Sequence, residues 1–324
     1  MDEGKMKAVV LERFGDIDEL VLQNIPVPII EPNDVLIRVE YAGLGEWDIF
    51  ERKGGYSEML GLEPMFPYVL GSEGAGTVVA IGEEVSGYDI GDKVYGAGFL
   101  NPKGGFYAEY VALNFNYVSH LSNSLTIQEA SAISGVGITA LRGLEDVLKL
   151  KPDESVMIFG ASGGVGHLAV QLAKSMGARV FAIASGEDGV TMVKGLGIDA
   201  VVDGREVDLS LAAHSFAPEG FDAALITAGG ELAHIAIECV REGGRIAFPN
   251  GVYPEPQART GIKSFGYNGD PDYEILQRLN HYINSSHITV NIDRSFSLED
   301  CREAHLKLDN HYLGKLCLKV TPVS

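Results

Sequence analysis

The stretch Ser155-Val156-Met157-Ile158-Phe159-Gly160-Ala161-Ser162-Gly163-Gly164-Val165-Gly166-His167-Leu168-Ala169-Val170-Gln171-Leu172-Ala173-Lys174 decides the reading of this chain. An apolar run from Val156 to Phe159, short enough for a buried strand, meets a cluster of glycines. Beyond it Val165, Leu168, Ala169, Leu172 and Ala173 recur at i, i+3, i+4, i+7 and i+8, which is one face of a helix. Strand, glycine turn and helix make the first half of a dinucleotide-binding unit. Gly160 permits the tight turn, Gly163 lets a pyrophosphate approach the backbone, and Gly166 lets helix and strand pack closely. The N–H groups of Ser162, Gly164, Val165 and Gly166 then open the helix, where unpaired donors and the helix dipole favour phosphate. The spacing is G-x-x-G-x-x-G and not G-x-G-x-x-G. Its weight therefore comes from its place between strand and helix, since a glycine-rich turn of an ordinary α/β domain is the other reading.

The rest of the chain narrows the choice. Its 324 residues are enough for two domains, each with its own core. A hydrophobic fraction of 46% and a charged fraction of 22% are those of a globular protein. The formal charge of −20 argues against nucleic acid, which needs clustered Lys and Arg, and against anionic membrane surfaces. No apolar run approaches the roughly 18 residues of a transmembrane helix, and the acidic start Met1-Asp2-Glu3-Gly4-Lys5 is unlike a secretory signal. Three distant cysteines, Cys239, Cys301 and Cys317, make neither a disulfide framework nor a four-cysteine zinc site, so a reducing cytoplasm is expected.

Residues 6–120 read as short strands separated by turns: Met6–Leu11, Asp34–Tyr41, Gly71–Gly82, Gly91–Tyr95 and Ala108–Leu113. Here four segments come in a telling order: Leu70-Gly71-Ser72-Glu73-Gly74-Ala75-Gly76-Thr77-Val78, Gly91-Asp92-Lys93-Val94, Gly105-Phe106-Tyr107-Ala108-Glu109-Tyr110 and the glycine turn. With Gly314-Lys315-Leu316-Cys317-Leu318 near the end, the chain resembles the medium-chain dehydrogenases/reductases over nearly its full length. It looks most like their zinc-independent quinone oxidoreductase (zeta-crystallin-like) branch. That resemblance implies an α/β architecture. Residues 1–122 and 268–324 would form a GroES-like, β-rich catalytic barrel domain, and residues 123–267 a Rossmann domain with a doubly wound parallel sheet.

In the zinc enzymes of this superfamily a Cys stands where this chain has Gly45 and a His where it has Ser72. Neither residue offers the thiolate or imidazole that zinc prefers, and Glu73 alone is not a site. The eight histidines are scattered, so no metal is expected. The substrate cleft is expected along Tyr41–Tyr56, and the resemblance makes Tyr56 a proton donor, for which a phenol is chemically suited. A tyrosine packed on the barrel rim is the competing reading. Gly45 and Phe50 stand where the family often has Asn and Tyr, which strips polar handles from this cleft. Glu46 and Trp47 are expected to give it an acidic and an aromatic wall.

Ser131–Leu141 matches the family helix that passes beneath the nicotinamide, with Thr139 near the ring. Beyond the glycine turn, Arg179–Ala184, Ala200–Val202, Phe221–Ile226 and Gly243–Phe248 alternate with helical stretches, the pattern of a parallel doubly wound sheet. Ligand binds at the carboxyl ends of such strands, which gathers Gly160, Ser185, Thr227, Asn250 and Gly251. An NAD site commonly has an acidic residue about 20 positions beyond the glycines. Here Ser185 stands there, which favours NADP(H), with Arg205 as the nearby cation, while Gly189, Gly204, Glu187 and Asp188 argue the other way, so NAD(H) stays open. Ser264–Tyr267 is expected just after a sixth, edge strand, through which the family forms homodimers. The reading is an NADPH-dependent, zinc-independent reductase of a small-molecule quinone or enone. Alternatives are an enoyl thioester reductase of the same superfamily and a nucleotide-binding structural or regulatory protein without turnover.

Overall fold

The computed structural model describes residues 4–61 and 65–321, which form two compact units. The first comprises Met1–Gly135, Pro271–Asn280 and Thr289–Ser324; the second comprises Val136–Asp270 and His281–Ile288.

The second unit is built on a six-stranded, wholly parallel sheet. Its strands are β1 (Ser155–Phe159), β2 (Arg179–Ala184), β3 (Ala200–Asp203), β4 (Phe221–Ile226), β5 (Val240–Pro249) and β6 (Lys263–Tyr267). They lie in the order β3-β2-β1-β4-β5-β6. The order reverses beside β1, and this is the arrangement in which a ligand sits at the carboxyl ends of the strands. Every residue of β1 is buried, as a central parallel strand covered on both faces requires. Phe181, Phe216 and Phe221 pack together with ring centroids 5.4–5.8 Å apart and anchor one side of the sheet.

The expected sixth strand differs in one respect. Ser264–Tyr267 do not follow the strand but are part of it, paired with β5 from Arg245↔Lys263 to Pro249↔Tyr267. As the last strand of the sheet, β6 leaves four of its five residues exposed.

The first unit holds two sheets. Lys5–Leu11 pairs antiparallel with Val21–Pro26 and Tyr68–Val69. A seven-stranded sheet centres on the long strand Asp34–Leu44, which is flanked by Glu73–Ile81 and Lys315–Lys319 and also pairs Tyr110–Asn114. Its core gathers Val35, Ile37, Val39, Val78, Val94, Val111, Leu316 and Leu318. The stretch after Asp34–Leu44 departs from the all-strand expectation. It forms two short helices, α1 (Glu46–Arg52) and α2 (Gly55–Leu60). The cause is local: the Asp48 carboxyl group, at the third helical position, accepts the N–H of Gly45 at 2.8 Å and caps α1. Gly54, with φ +84°, then takes the left-handed turn between the two helices. Among the described residues no helix is long and apolar enough to cross a membrane.

Phe221→Ala removes a fully buried ring from the three-phenylalanine cluster of the sheet. We expect a loss of about 3–5 kcal/mol in denaturant unfolding, with both nearby rings unable to fill the space.

Candidate functional site

In the second unit the glycine turn joins β1 to a twelve-residue helix, so the helices here are numbered α3 (Ser134–Leu141), α4 (Gly164–Ser175) and α5 (Gly186–Gly195). Gly160 has φ +79°, a backbone state that side chains rarely adopt. A Cβ on Gly166 would lie 2.1 Å from the Gly160 carbonyl oxygen, so the first turn of α4 rests directly on the turn's backbone. Gly163 takes extended geometry as the N-cap of α4, without a side chain to fill the space ahead of the helix. The opening N–H groups of α4, from Gly164, Val165 and Gly166, have no residue four positions earlier within the helix to bond. This is a backbone cradle suited to a phosphate, and it fits the pyrophosphate of a dinucleotide.

The other expected nucleotide residues fall at the same edge. Ser185 is the N-cap of α5 immediately after β2, and its side chain makes no capping bond. Thr227 follows β4 and donates its hydroxyl to the Phe159 carbonyl at 2.7 Å, which ties the end of β4 to the end of β1. Asn250 and Gly251 follow β5, and the Asn250 amide donates to Asn268 Oδ1 at 2.8 Å. Arg205 lies just past β3, exposed, with its backbone N–H bonded to Asp203. Ser162 is buried within the turn. Thr139 sits on α3, where its carbonyl accepts the Tyr267 hydroxyl at 2.9 Å and its side chain packs against Gly269. Glu187 and Asp188 occupy the exposed first turn of α5, next to Ser185.

The first unit carries a second group of polar residues that the sequence did not disclose. On α1, Asp48, Glu51 and Arg52 are buried, although a charged run normally reads as a solvated helix face. Burial pushes the Asp48 carboxyl up to about 8, with Glu51 adding repulsion and the Gly45 N–H and Lys315 opposing it. Burial also raises Glu51, which the hydroxyls of Tyr68 and Ser72 counter by donating to its carboxylate. Arg52 Nη1 lies 3.0 Å from His305 Nδ1. Arginine only donates, so Nδ1 is the acceptor and His305 is neutral. Its burial and the adjacent guanidinium hold His305 down to about 3.

Behind α1, the fully buried Glu73 forms an ion pair with Lys315, Nζ to Oε1, at 2.7 Å. Glu73 Oε2 accepts the Gly135 N–H at 2.7 Å and the Ser134 hydroxyl at 3.3 Å. Lys315 also donates to the Leu44 carbonyl, and its ammonium lies 4.5 Å from the centroid of the Trp47 ring. Trp47 in turn lies on Gly45, where any Cβ would be 2.5 Å from the ring. Glu46 is exposed and Trp47 half-buried, while Tyr56 lies half-buried on α2 with its ring edge-on to Phe50 at 4.7 Å.

This arrangement does not fit a zinc ion. Gly45 brings no thiolate and its surroundings are filled by the Trp47 ring; the Ser72 hydroxyl is turned to Glu51; Glu73 is neutralised by Lys315. Among the described residues no group of three or more His, Cys, Asp and Glu is placed to hold a metal.

Lys315→Met leaves the Glu73 carboxylate buried without its counter-ion. We expect a loss of about 3–5 kcal/mol in urea unfolding at pH 7, largely recovered in the double variant Lys315→Met, Glu73→Gln.

Comparison with known proteins agrees with this geometry. Residues 31–123 match the model of the alcohol dehydrogenase GroES-like domain, and residues 164–262 that of the zinc-binding dehydrogenases. A 2-methylene-furan-3-one reductase of Solanum lycopersicum is 32% identical, over 98% of this chain and 80% of its own. The quinone oxidoreductase of Lama guanicoe is also 32% identical, over 74% of this chain and 72% of its own. Among solved structures, the quinone oxidoreductase from Coxiella burnetii superposes with a TM-score of 0.83 at 29% identity, covering 98% of this chain and 100% of that one. With its GroES-like unit, its parallel nucleotide-type sheet and these relatives, the chain belongs to the medium-chain dehydrogenase/reductase superfamily, in its quinone oxidoreductase-like branch, and is an oxidoreductase that uses a nicotinamide cofactor.

Proposed function

We propose that the chain is a zinc-independent, NADPH-preferring reductase of quinones or α,β-unsaturated carbonyl compounds. The observation that carries this reading is the backbone cradle at Gly160–Gly166, where a Cβ on Gly166 at the head of α4 would lie 2.1 Å from the Gly160 carbonyl oxygen. Gly163, Gly164, Val165 and Gly166 would hold the pyrophosphate, Ser185 and Arg205 the adenosine ribose and its 2′-phosphate, and Thr139, Thr227, Asn250 and Gly251 the nicotinamide half. A neutral Ser185 removes the acidic bar to a 2′-phosphate, and Arg205 supplies a positive charge. Glu187 and Asp188 stand against it and temper the preference. When bound, the reduced nicotinamide supplies a hydride to the alkene carbon or quinone.

The chain's residues handle the charge and proton that follow. With no metal ligand set among its described residues, the first unit would stabilise the developing enolate oxygen with hydrogen-bond donors. Tyr56 is the proposed proton donor: a phenol gives one hydrogen bond and can pass its proton to an enolate. The reductase of Solanum lycopersicum acts on a compound that its name describes as a methylene-furanone, which is an enone, and several relatives are named quinone oxidoreductases. Both acceptor types receive two electrons and end with a protonated oxygen or carbon, so one site serves either. The exposed edge of β6 would pair with its copy in a homodimer, covering unpaired backbone groups.

The test is a panel of enones and quinones with each reduced nucleotide. Loss of the reduced-nicotinamide absorbance is expected, with a lower KM for NADPH, and Tyr56→Phe should lower kcat about 10²-fold. Tight nucleotide binding with no oxidation of either nucleotide across the panel would mean a binding protein without turnover. An unchanged rate in Tyr56→Phe would remove the proton-donor assignment alone. Light scattering should give about twice the chain mass of 34.7 kDa; a monomer would rule out the β6 pairing.

A further inference from the structure

We infer that Tyr267 is a positioning residue for the nicotinamide half of the cofactor, and that with Asn268 it sets where Thr139 and Asn250 stand. This deepens the reductase reading above and rests on it, since Thr139 and Asn250 are the residues proposed there for that half. The two lie on separate elements, Thr139 on α3 and Asn250 just past β5. One short segment running off the end of β6, Gly266-Tyr267-Asn268-Gly269, touches both. Toward Thr139, the Tyr267 hydroxyl donates to its carbonyl at 2.9 Å. A Cβ on Gly269 would lie 2.1 Å from its Oγ1. Toward Asn250, the Tyr267 carbonyl accepts its N–H at 2.8 Å, and Asn268 Oδ1 accepts its side-chain amide at 2.8 Å. A Cβ on Gly266 would lie 2.6 Å from Asn250 Oδ1. The segment thus fixes both residues at once, and with Asn250 the Gly251 backbone that follows it.

Tyr267 is the one buried residue of β6. Its hydroxyl enters the helical stretch close to where it widens. Over Arg142–Val147 the main-chain bonds span five residues, as from the Leu148 N–H to the Gly143 carbonyl at 2.9 Å. Such π-turns are rare and fall frequently at functional sites. A Cβ on Gly143 would lie 2.3 Å from the Tyr267 hydroxyl oxygen, so the phenol fits there only because position 143 has no side chain. Burial pushes this phenol well above its ordinary range, and the hydroxyl keeps its proton and remains a donor. Just beyond the segment, Arg142 Nε donates to the Asp270 carbonyl at 2.8 Å, which closes it on the same helical stretch. A hydroxyl buried without a partner is costly, so its bond to Thr139 is what makes tyrosine tolerable at this place. The residues proposed for the pyrophosphate and the adenosine half, Gly163–Gly166, Ser185 and Arg205, follow β1, β2 and β3. These strands are separated from β6 by β4 and β5. Loss of the Tyr267 hydroxyl therefore disturbs one half of the cofactor and spares the other.

The experiment is calorimetric titration of the full chain with NADPH and with 2′-phospho-ADP-ribose, the same molecule without its nicotinamide, and likewise with NADH and ADP-ribose. In Tyr267→Phe the dinucleotide that the wild type prefers should lose about tenfold in affinity, while its nicotinamide-free fragment changes by less than about twofold. Asn268→Ala, at an exposed position that cannot unsettle the core, should show the same pattern at severalfold. It carries the test by itself if Tyr267→Phe does not fold. An equal loss for dinucleotide and fragment, as a general loosening of the sheet edge would give, overturns the inference. So does an unchanged dinucleotide affinity in both variants, or a wild type that binds fragment and dinucleotide equally well. A change of mass by light scattering in Tyr267→Phe also overturns it, because Tyr267 would then serve the pairing of copies. A wild type that binds neither dinucleotide nor fragment overturns the reductase reading instead.

Discussion

The close approach of Gly166 to the Gly160 carbonyl is the constraint on which the nucleotide half depends. Any side chain at position 166 would need to occupy a point 2.1 Å from that oxygen, so only glycine lets α4 start at the end of β1. Once it starts there, its amide groups and dipole face the carboxyl edge of the sheet. The reversal of strand order beside β1 brings Ser185, Thr227 and Asn250 to that same edge. Thr227 adds a bond of its own to the end of β1, so the turn is fixed from two strands. In this unit the cradle is built by backbone geometry and not by side-chain chemistry.

The other unit works differently. Its polar centre is a set of buried charges that would be costly singly and are tolerable because they are paired. Lys315 answers Glu73, Arg52 lies against a neutral His305, and hydroxyls from Tyr68 and Ser72 answer Glu51. Asp48 escapes the cost in another way, by keeping its proton up to about pH 8 while still capping α1. These contacts hold the inner face of α1 and leave Phe50 exposed. Beside Gly45 an ammonium ion, a carboxylate and an indole ring pack together.

Much of the architecture was legible in the chain itself, for reasons that are local. The glycine turn needs particular residues at particular spacings. Val156–Phe159 is an uninterrupted apolar run because a central parallel strand is buried on both faces, and α4 shows its buried stripe at helical spacing. The lack of a thiolate at position 45 and an imidazole at position 72 could likewise be read as letters. Where the strand pattern erred, the error was also local: Gly45–Tyr56 gave no apolar period because the inner face of α1 is charged, and Ser264–Tyr267 proved to be the edge strand itself, not its sequel.

What only the tertiary structure decided is partnership across long stretches of chain. Glu73 and Lys315 are separated by 242 positions, and Arg52 and His305 by 253, so no spacing rule could join them. A buried charge looks in sequence like a surface charge, because its pairing and its loss of water depend on elements far along the chain. Trp47 and Phe50 likewise read as a mere pair of aromatic residues until Gly45, Gly55 and Lys315 set their rings. The sequence by itself determined the fold and the glycine turn, because both rest on local backbone conformation and hydrophobic period. The structure decided the character of the other unit's surface, because burial and electrostatic pairing are properties of the folded whole.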